Sequence, residues 1–208
     1  MRRAGWIAGG AAAVLVAVGA VTFAVAGDAG DAASDGAGVE VPAASSADAG
    51  FARDMAVHHQ QAVEMSYIVR DRTDDVEVRR LAYDIAQTQA NQRGMLLGWL
   101  TLWGLPKVSS DPPMTWMGMS GAPSKGDGAL MPGMATDAEL ERLGELRGRA
   151  AEVYYLRLMT EHHKGGVHMA EGCAAKCTVE VEKRLARGMV EAQESEIRLM
   201  AEMVRERS

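Results

Sequence analysis

The chain has 208 residues, of which 48% are hydrophobic but only 5% aromatic, and its formal net charge is −6. A chain of this length can bury the core of one ordinary domain. The acidic balance, with no Lys/Arg run longer than two residues, argues against nucleic-acid binding, which needs a concentrated basic face. Strand-forming aromatic and β-branched runs are scarce, so the composition predicts an all-α fold.

The first 26 residues predict a targeting segment. Arg2 and Arg3 give a positively charged start, and residues 4–26 carry no charge. The small residues around Ala26 suit cleavage of a signal peptide, whereas the uncharged stretch is also long enough to span a bilayer as a retained anchor. In both cases we expect an extracytoplasmic protein, either secreted or held at the cell envelope by residues 4–26.

Two helical blocks follow a predicted flexible linker. The linker covers residues 27–48, which are rich in Gly, Ala, Ser and Asp. Apolar residues at three-or-four spacing predict helices in residues 49–103 and 137–206. The Pro- and Gly-rich residues 104–135 between them are expected to form an irregular crossover, because proline at this density stops helices. The helical domain is therefore predicted to span residues 49–206.

The second block is expected to begin with one helix, running from a cap at Thr136 or Asp137 to about Cys173, with the last helix starting near Thr178. The two blocks match each other without a gap at an offset of 104 residues. We therefore predict a duplicated helical hairpin, and two hairpins joined by a long crossover form a ferritin-like four-helix bundle. The matching positions include Arg53 and Arg157, Met55 and Met159, His58 and His162, His59 and His163, Met65 and Met169, and Gln89 and Gln193.

The histidines indicate a metal site. All five lie within the repeats, and four occupy matching positions. A helical wheel places these four on one face with the flanking methionines, so the side chains are expected to meet inside the bundle. Imidazole binds Cu(I), Cu(II) and zinc, but the soft thioethers select Cu(I), so copper is favoured over zinc. The candidate ligands are Met55, His58, His59, Met65, Met159, His162, His163 and Met169.

Two other interpretations stay open at this stage. The histidines and methionines could be core residues of a structural or interaction bundle, since buried imidazoles with partners and methionine filler are common. A metal-dependent oxidoreductase is the other alternative. The sequence contains no Glu-x-x-His motif and no nucleophile–base pair, so we assign no catalytic residue.

Three further groups of side chains are candidates for supporting roles. Glu196 lies on the inward stripe of the last helix, where it could orient a ligating histidine, bind the metal or join two helices. Cys173 and Cys177 could form a disulfide after export or a thiolate metal pair. The crossover methionines could be accessory copper ligands or a hydrophobic flap; they are Met114, Met117, Met119, Met131 and Met134.

The segment FARDMAVHHQQAVEMS, the stretch from LMPGM to HHKGGVHMAEG, and AQESEIRLM resemble the bacterial domain-of-unknown-function 305 family, the CopM-like proteins. The resemblance spans about residues 49–206 and implies an exported, ferritin-like bundle with copper-binding members. It implicates the same eight His and Met side chains, with the crossover methionines as accessory ligands. Gln92 departs from the Glu that the repeat places at Glu196, and the two cysteines lie outside the family pattern. We therefore expect a non-catalytic copper-sequestering or copper-carrying protein, whose protein partner the sequence does not identify.

Overall fold

The computed structural model describes residues 41–119 and 125–207. These residues form α-helices without any β-strand, joined by loops and one 3-10 turn, which confirms the predicted all-α fold. None of the described helices is long and apolar enough to cross a membrane. The predicted signal or anchor segment, and the linker up to residue 40, lie outside the described residues. The helices are α1 (Ala47–Arg70), α2 (Val76–Leu102), α3 (Asp137–Glu145), α4 (Gly148–Lys176) and α5 (Glu180–Glu206).

Side-chain caps fix where several helices begin. The Ser46 side chain accepts a hydrogen bond from the Ala49 amide, so α1 starts inside the predicted linker. Asp75 caps α2 in the same manner. Thr136 and Glu139 form a reciprocal capping box at the start of α3. Such caps satisfy backbone amides that the first helical turn leaves without partners.

The helix predicted to run unbroken from Asp137 to about Cys173 is two helices, so that prediction was wrong. The chain becomes extended at Leu146 and Arg147. Gly148 then adopts a φ of 53°, in the left-handed region that favours glycine. Its amide donates a 2.7 Å hydrogen bond to the Arg72 carbonyl, beyond the end of α1. A contact with a distant part of the chain therefore replaces the local helical bond.

The helices pair as two hairpins. Helix α1 packs along α2, and α4 packs along α5, with the Met-rich crossover between the hairpins. The principal contact between the hairpins joins α1 to α4, which are thus the two inner helices. This arrangement confirms the duplicated hairpins, with the short helix α3 as an addition to the predicted four.

Buried apolar residues form two clusters at different heights along the inner helices. The first cluster contains Phe51 and Met55 of α1 together with Met169 of α4. The second contains Met65 of α1 together with Met159 of α4. Between the two, every long helix contributes polar side chains, which we call the polar layer: His58, His59, Gln61, Gln89, Gln92, His162, His163, Gln193 and Glu196.

Candidate metal centre

All eight predicted ligands are fully buried. The four imidazoles and the four thioether side chains each have a relative exposure of 0%. Burial of methionine is ordinary, but a buried imidazole nitrogen needs a hydrogen-bond partner or, for its lone pair, a metal ion.

His58 and His162, the matching histidines of the two repeats, contact each other at the centre of the polar layer. Their ring centroids are 3.8 Å apart and their planes are tilted by 34°. His162 Nε2 lies 3.0 Å from the backbone oxygen of His58, and His58 Nε2 lies 3.2 Å from the backbone oxygen of Pro132. A carbonyl oxygen only accepts, so both Nε2 atoms carry hydrogen and both Nδ1 atoms keep a free lone pair.

His163 is held by a carboxylate. Its Nε2 lies 2.6 Å from Glu196 Oε2, and while the ring is fully buried, the Glu196 side chain remains 25% exposed. In the neutral form of the ring, donation from Nε2 to the carboxylate leaves a lone pair on Nδ1. A carboxylate behind a histidine is the arrangement that fixes and strengthens a metal-binding imidazole.

The matching ring in the first repeat, His59, has fewer hydrogen bonds. Gln92 lies beside it, yet neither His59 nitrogen makes a hydrogen bond of good geometry among the described residues. The Nδ1 atoms of the other three layer histidines are likewise without hydrogen-bond partners there. Five imidazole nitrogens are therefore buried with their lone pairs or hydrogens unused.

Burial keeps three of the four imidazoles uncharged. Loss of hydration lowers the pKa of His58 to about 4 and that of His59 to about 3. The same cause, with the neighbouring His58 ring, brings the pKa of His162 well below its ordinary value. Neutral imidazoles are the form that binds metal ions.

The four methionines predicted as ligands lie at two heights along the inner helices. Met55 and Met169 lie in the first apolar cluster, and Met65 and Met159 lie in the second. A helical wheel gives the face of a residue but not its height, and the ten residues from Met55 to Met65 correspond to about 15 Å along a helix. Two of the four methionines therefore flank the polar layer on each side, and their role as copper ligands stays a prediction.

Comparison with known proteins identifies the family of this chain. The model of the family named "Domain of unknown function (DUF305)" matches residues 48–204. The chain belongs to the DUF305 family. A solved DUF305 protein from Streptomyces coelicolor is 78% identical, with a TM-score of 0.74, and the match covers 79% of this chain and 96% of that one. No curated protein matches the chain.

Two other solved DUF305-like structures share the fold at lower identity. A DUF305 fragment from Deinococcus radiodurans is 31% identical, with a TM-score of 0.62 and coverage of 76% of this chain and 95% of that one. CopM in its Cu(II)-bound form is 24% identical, with a TM-score of 0.60 and coverage of 76% and 96%. At that identity the likeness to CopM shows the fold alone.

Two glutamines of the polar layer were not predicted as site residues. Gln89 and Gln193 are 3% and 4% exposed. Both amide atoms of Gln89 and the Oε1 of Gln193 lack hydrogen-bond partners among the described residues. Gln193 Oε1 occupies the space where a side chain at Gly166 would begin. The exact repeat match of Gln89 with Gln193 was the signal that could have identified them.

The crossover is clamped onto the layer. Gln61 donates from Nε2 to the Ala135 oxygen at 2.8 Å, and its Oε1 accepts from the Ala135 amide at 2.7 Å. Against α4, the Pro132 and Gly133 backbone fills the space above Gly165, where a Cβ atom would overlap the Pro132 carbonyl. The crossover therefore closes one side of the histidine layer.

The crossover methionines extend the first apolar cluster. Met114, Met131 and Met134 are buried within it, and Met117 and Met119 pack against it while partly exposed. Asp54 Oδ2 anchors this part of the crossover by accepting hydrogen bonds from the Met114 amide at 2.7 Å and from Trp116 Nε1 at 2.9 Å. The crossover methionines therefore pack with the first apolar cluster, and their role as accessory copper ligands stays a prediction. The exposed His168 lies apart from the layer, with its Nε2 3.4 Å from Met119 Sδ.

The two cysteines are joined to each other. Cys173 and Cys177 form a disulfide at the end of α4, with 4.8 Å between their Cα atoms. The bridge lies against the first apolar cluster and not in the polar layer. These sulfurs are therefore separate from the histidine centre.

Proposed function

We propose that this DUF305 protein binds copper through the buried histidines of the polar layer. In this proposal it sequesters or carries Cu(I) or Cu(II) outside the cytoplasm without catalysing a reaction. The observation that carries the proposal is the set of unused nitrogens. Among the described residues, Nδ1 of three imidazoles has no hydrogen-bond partner although each Nε2 has one, and both nitrogens of His59 are unpartnered. In a core built only for packing, such groups cost stability and apolar residues would replace them.

The donor chemistry favours copper over zinc. Imidazole nitrogens serve Cu(I), Cu(II) and Zn(II), whereas thioethers bind Cu(I) well and zinc poorly. Fully buried methionine pairs flank the layer on both sides. CopM, which has this fold, was solved with Cu(II) bound, but the proposal for this chain rests on its own side chains.

An extracytoplasmic location fits this role. The uncharged segment at residues 4–26 follows two arginines, as in export signals. The 78% identical Streptomyces coelicolor relative is described as secreted. Outside the cytoplasm, copper binding by a protein lowers the concentration of the free ion.

Anaerobic titration with Cu(I) against a chromophoric chelator tests the proposal. The unmodified protein is expected to take copper stoichiometrically, and the double variant His58→Ala/His162→Ala is expected to lose this binding. Leu156→Ala is the matched control, because it opens a cavity in the fully buried core without removing a donor. Absence of copper uptake by the unmodified protein, or equal loss in both variants, would contradict the proposal and favour a purely structural layer.

A further inference from the structure

Three potential metal donors meet at the turn between α4 and α5, away from the histidine layer. Cys173 lies in the last turn of α4, Cys177 caps that helix, and Glu182 lies in the first turn of α5. Their sulfur and carboxylate atoms all lie within 4.8 Å of one another. The three residues are 0%, 3% and 0% exposed, respectively.

The turn that assembles these donors is fixed by Asp48 of α1. Its Oδ1 accepts hydrogen bonds of 2.8 Å from the amides of Thr178 and Val179, and its Oδ2 accepts from Thr178 Oγ1 at 3.2 Å. The carboxylate of Asp48 therefore accepts the hydrogen bonds of the amides just before α5. Glu182, one turn later, is left without those partners.

Glu182 is a buried carboxyl group beside the Asp48 carboxylate. No group of the described residues donates a hydrogen bond of good geometry to either of its oxygens, but in its neutral form it donates one to Asp48. Burial and the neighbouring Asp48 raise the pKa of Glu182 to about 9, so the group is held in its neutral form. An apolar side chain of similar volume would be more stable here. Its position beside two sulfurs, in contrast, is what a cation site requires.

We propose that reduction of the Cys173–Cys177 disulfide opens a second metal site, in which the two sulfurs and the Glu182 carboxylate bind a thiophilic divalent cation such as Zn(II). Zinc takes thiolate and carboxylate ligands at about 2.3 and 2.1 Å. Such bonds need only small movements of side chains that already lie together. None of the three donors belongs to the polar layer, so the proposal is independent of the copper proposal.

The chemistry of opening is an ordinary thiol–disulfide exchange. A dithiol reductant breaks the S–S bond, supplies two electrons and two protons to the sulfurs, and is itself oxidised to a disulfide. The cation then displaces the two thiol protons and the Glu182 proton, so up to three protons pass to solvent per cation. The oxidised protein has no thiolates to offer, and metal binding at this turn therefore depends on the redox state.

Cobalt(II) is the probe of choice, because thiolate ligation gives it a charge-transfer absorption that imidazole ligation does not. The full chain is reduced with a dithiol, which is removed under nitrogen, and Co(II) is then titrated. One equivalent is expected to develop the thiolate band in the reduced protein and none in the oxidised protein, and Zn(II) is expected to bleach it. A reduced protein without the band would overturn the proposal.

Two variants test the ligands separately. Glu182→Gln is expected to weaken Co(II) binding at least tenfold, whereas Glu180→Gln, an exposed carboxyl in the same helical turn, is the matched control. Cys177→Ser is expected to abolish the band, and alkylation of the reduced unmodified protein provides the same test should that variant fail to fold. Unchanged affinity in Glu182→Gln would overturn the assignment of the carboxylate.

Discussion

Glu196 Oε2 accepts a 2.6 Å hydrogen bond from His163 Nε2, while the matching side chain of the first repeat, Gln92, lies beside His59 without a hydrogen bond of good geometry. One half of the layer therefore has a carboxylate behind its imidazole, and the other half has an amide. A carboxylate partner fixes the ring and increases its basicity toward a metal. We expect the two halves of the protein to contribute unequally to copper affinity.

Replacing Glu196 by Ala is expected to weaken copper binding about 10- to 100-fold, the usual effect of removing a group that orients a metal-bound histidine. The copper stoichiometry should stay unchanged, because the imidazoles remain. Competition titration with a Cu(I) chelator measures both quantities. Glu194→Ala, an exposed carboxyl on the same helix, is the control, and equal affinity of the two variants would refute the orienting role.

The metal-free protein is expected to lose stability in mild acid. The pKa of His58 is about 4 and that of His59 about 3 in the folded protein, against an ordinary value of 6.5. Below pH 6.5 the unfolded chain binds protons that the folded chain does not, so the free energy of unfolding falls as the pH decreases. Above pH 6.5 this effect is absent. By pH 5 each of the two imidazoles lowers the free energy of unfolding by about 2 kcal/mol.

Urea unfolding at pH 7.5 and pH 5 measures this loss. His59→Leu removes one of the titrating rings and should show a smaller difference between the two pH values than the unmodified protein. The measurement is best made in a Glu182→Gln background, because the raised pKa of Glu182 acts in the opposite direction. Identical unfolding free energies at both pH values would contradict neutral burial of the imidazoles.

Glu182 itself makes a prediction about the oxidised protein. Its folded pKa of about 9 exceeds the ordinary 4.5, so between these values the folded chain binds a proton that the unfolded chain lacks, and stability falls as the pH rises. Glu182→Gln removes this dependence and should raise the free energy of unfolding at pH 9 by about 1–3 kcal/mol. Chemical unfolding of both proteins at pH 6 and pH 9 tests this prediction. A variant that is destabilised at pH 9 would contradict it, because the hydrogen bond of Glu182 to Asp48 would then stabilise the fold by more than burial of the carboxyl group costs.

The crossover approaches α4 so closely at Gly165 that no side chain fits there. A Cβ atom there would overlap the Pro132 oxygen and lie 2.6 Å from its carbonyl carbon, both of which are backbone atoms. Gly165→Ala is therefore expected to destabilise the protein by about 1–3 kcal/mol, the usual cost of overpacking. The same change at Gly188 of α5 meets no atom within 4 Å and should stabilise by up to about 1 kcal/mol. Thermal unfolding distinguishes them, and equal stabilisation by both would mean that the crossover is not clamped.

The sequence predicted features that depend on one helix at a time. Periodicity located the long helices, and the helical wheel identified the buried face that carries His58 and His162. The break at Gly148 escaped prediction because its cause is a hydrogen bond to Arg72, a residue distant in the sequence. Local pattern cannot reveal such a contact.

The sequence indicated which imidazoles are buried but not how the buried side chains are layered. A helical wheel contains no information on height, so it placed Met55 and Met65 on one face although they lie in separate apolar clusters. Gln89 was missed because glutamine is mostly a surface residue. The placement of Glu182 beside the cysteines depends on the turn that Asp48 fixes, which no spacing in the sequence encodes.

The location of bound copper is the most direct test of the account. Crystals of the copper-loaded protein, measured at the copper absorption edge, give an anomalous difference map in which only copper produces strong peaks. We predict a peak within bonding distance of Nδ1 of His58, His162 or His163. A map whose copper peaks lie only on the surface, with the layer histidines still unliganded, would contradict it.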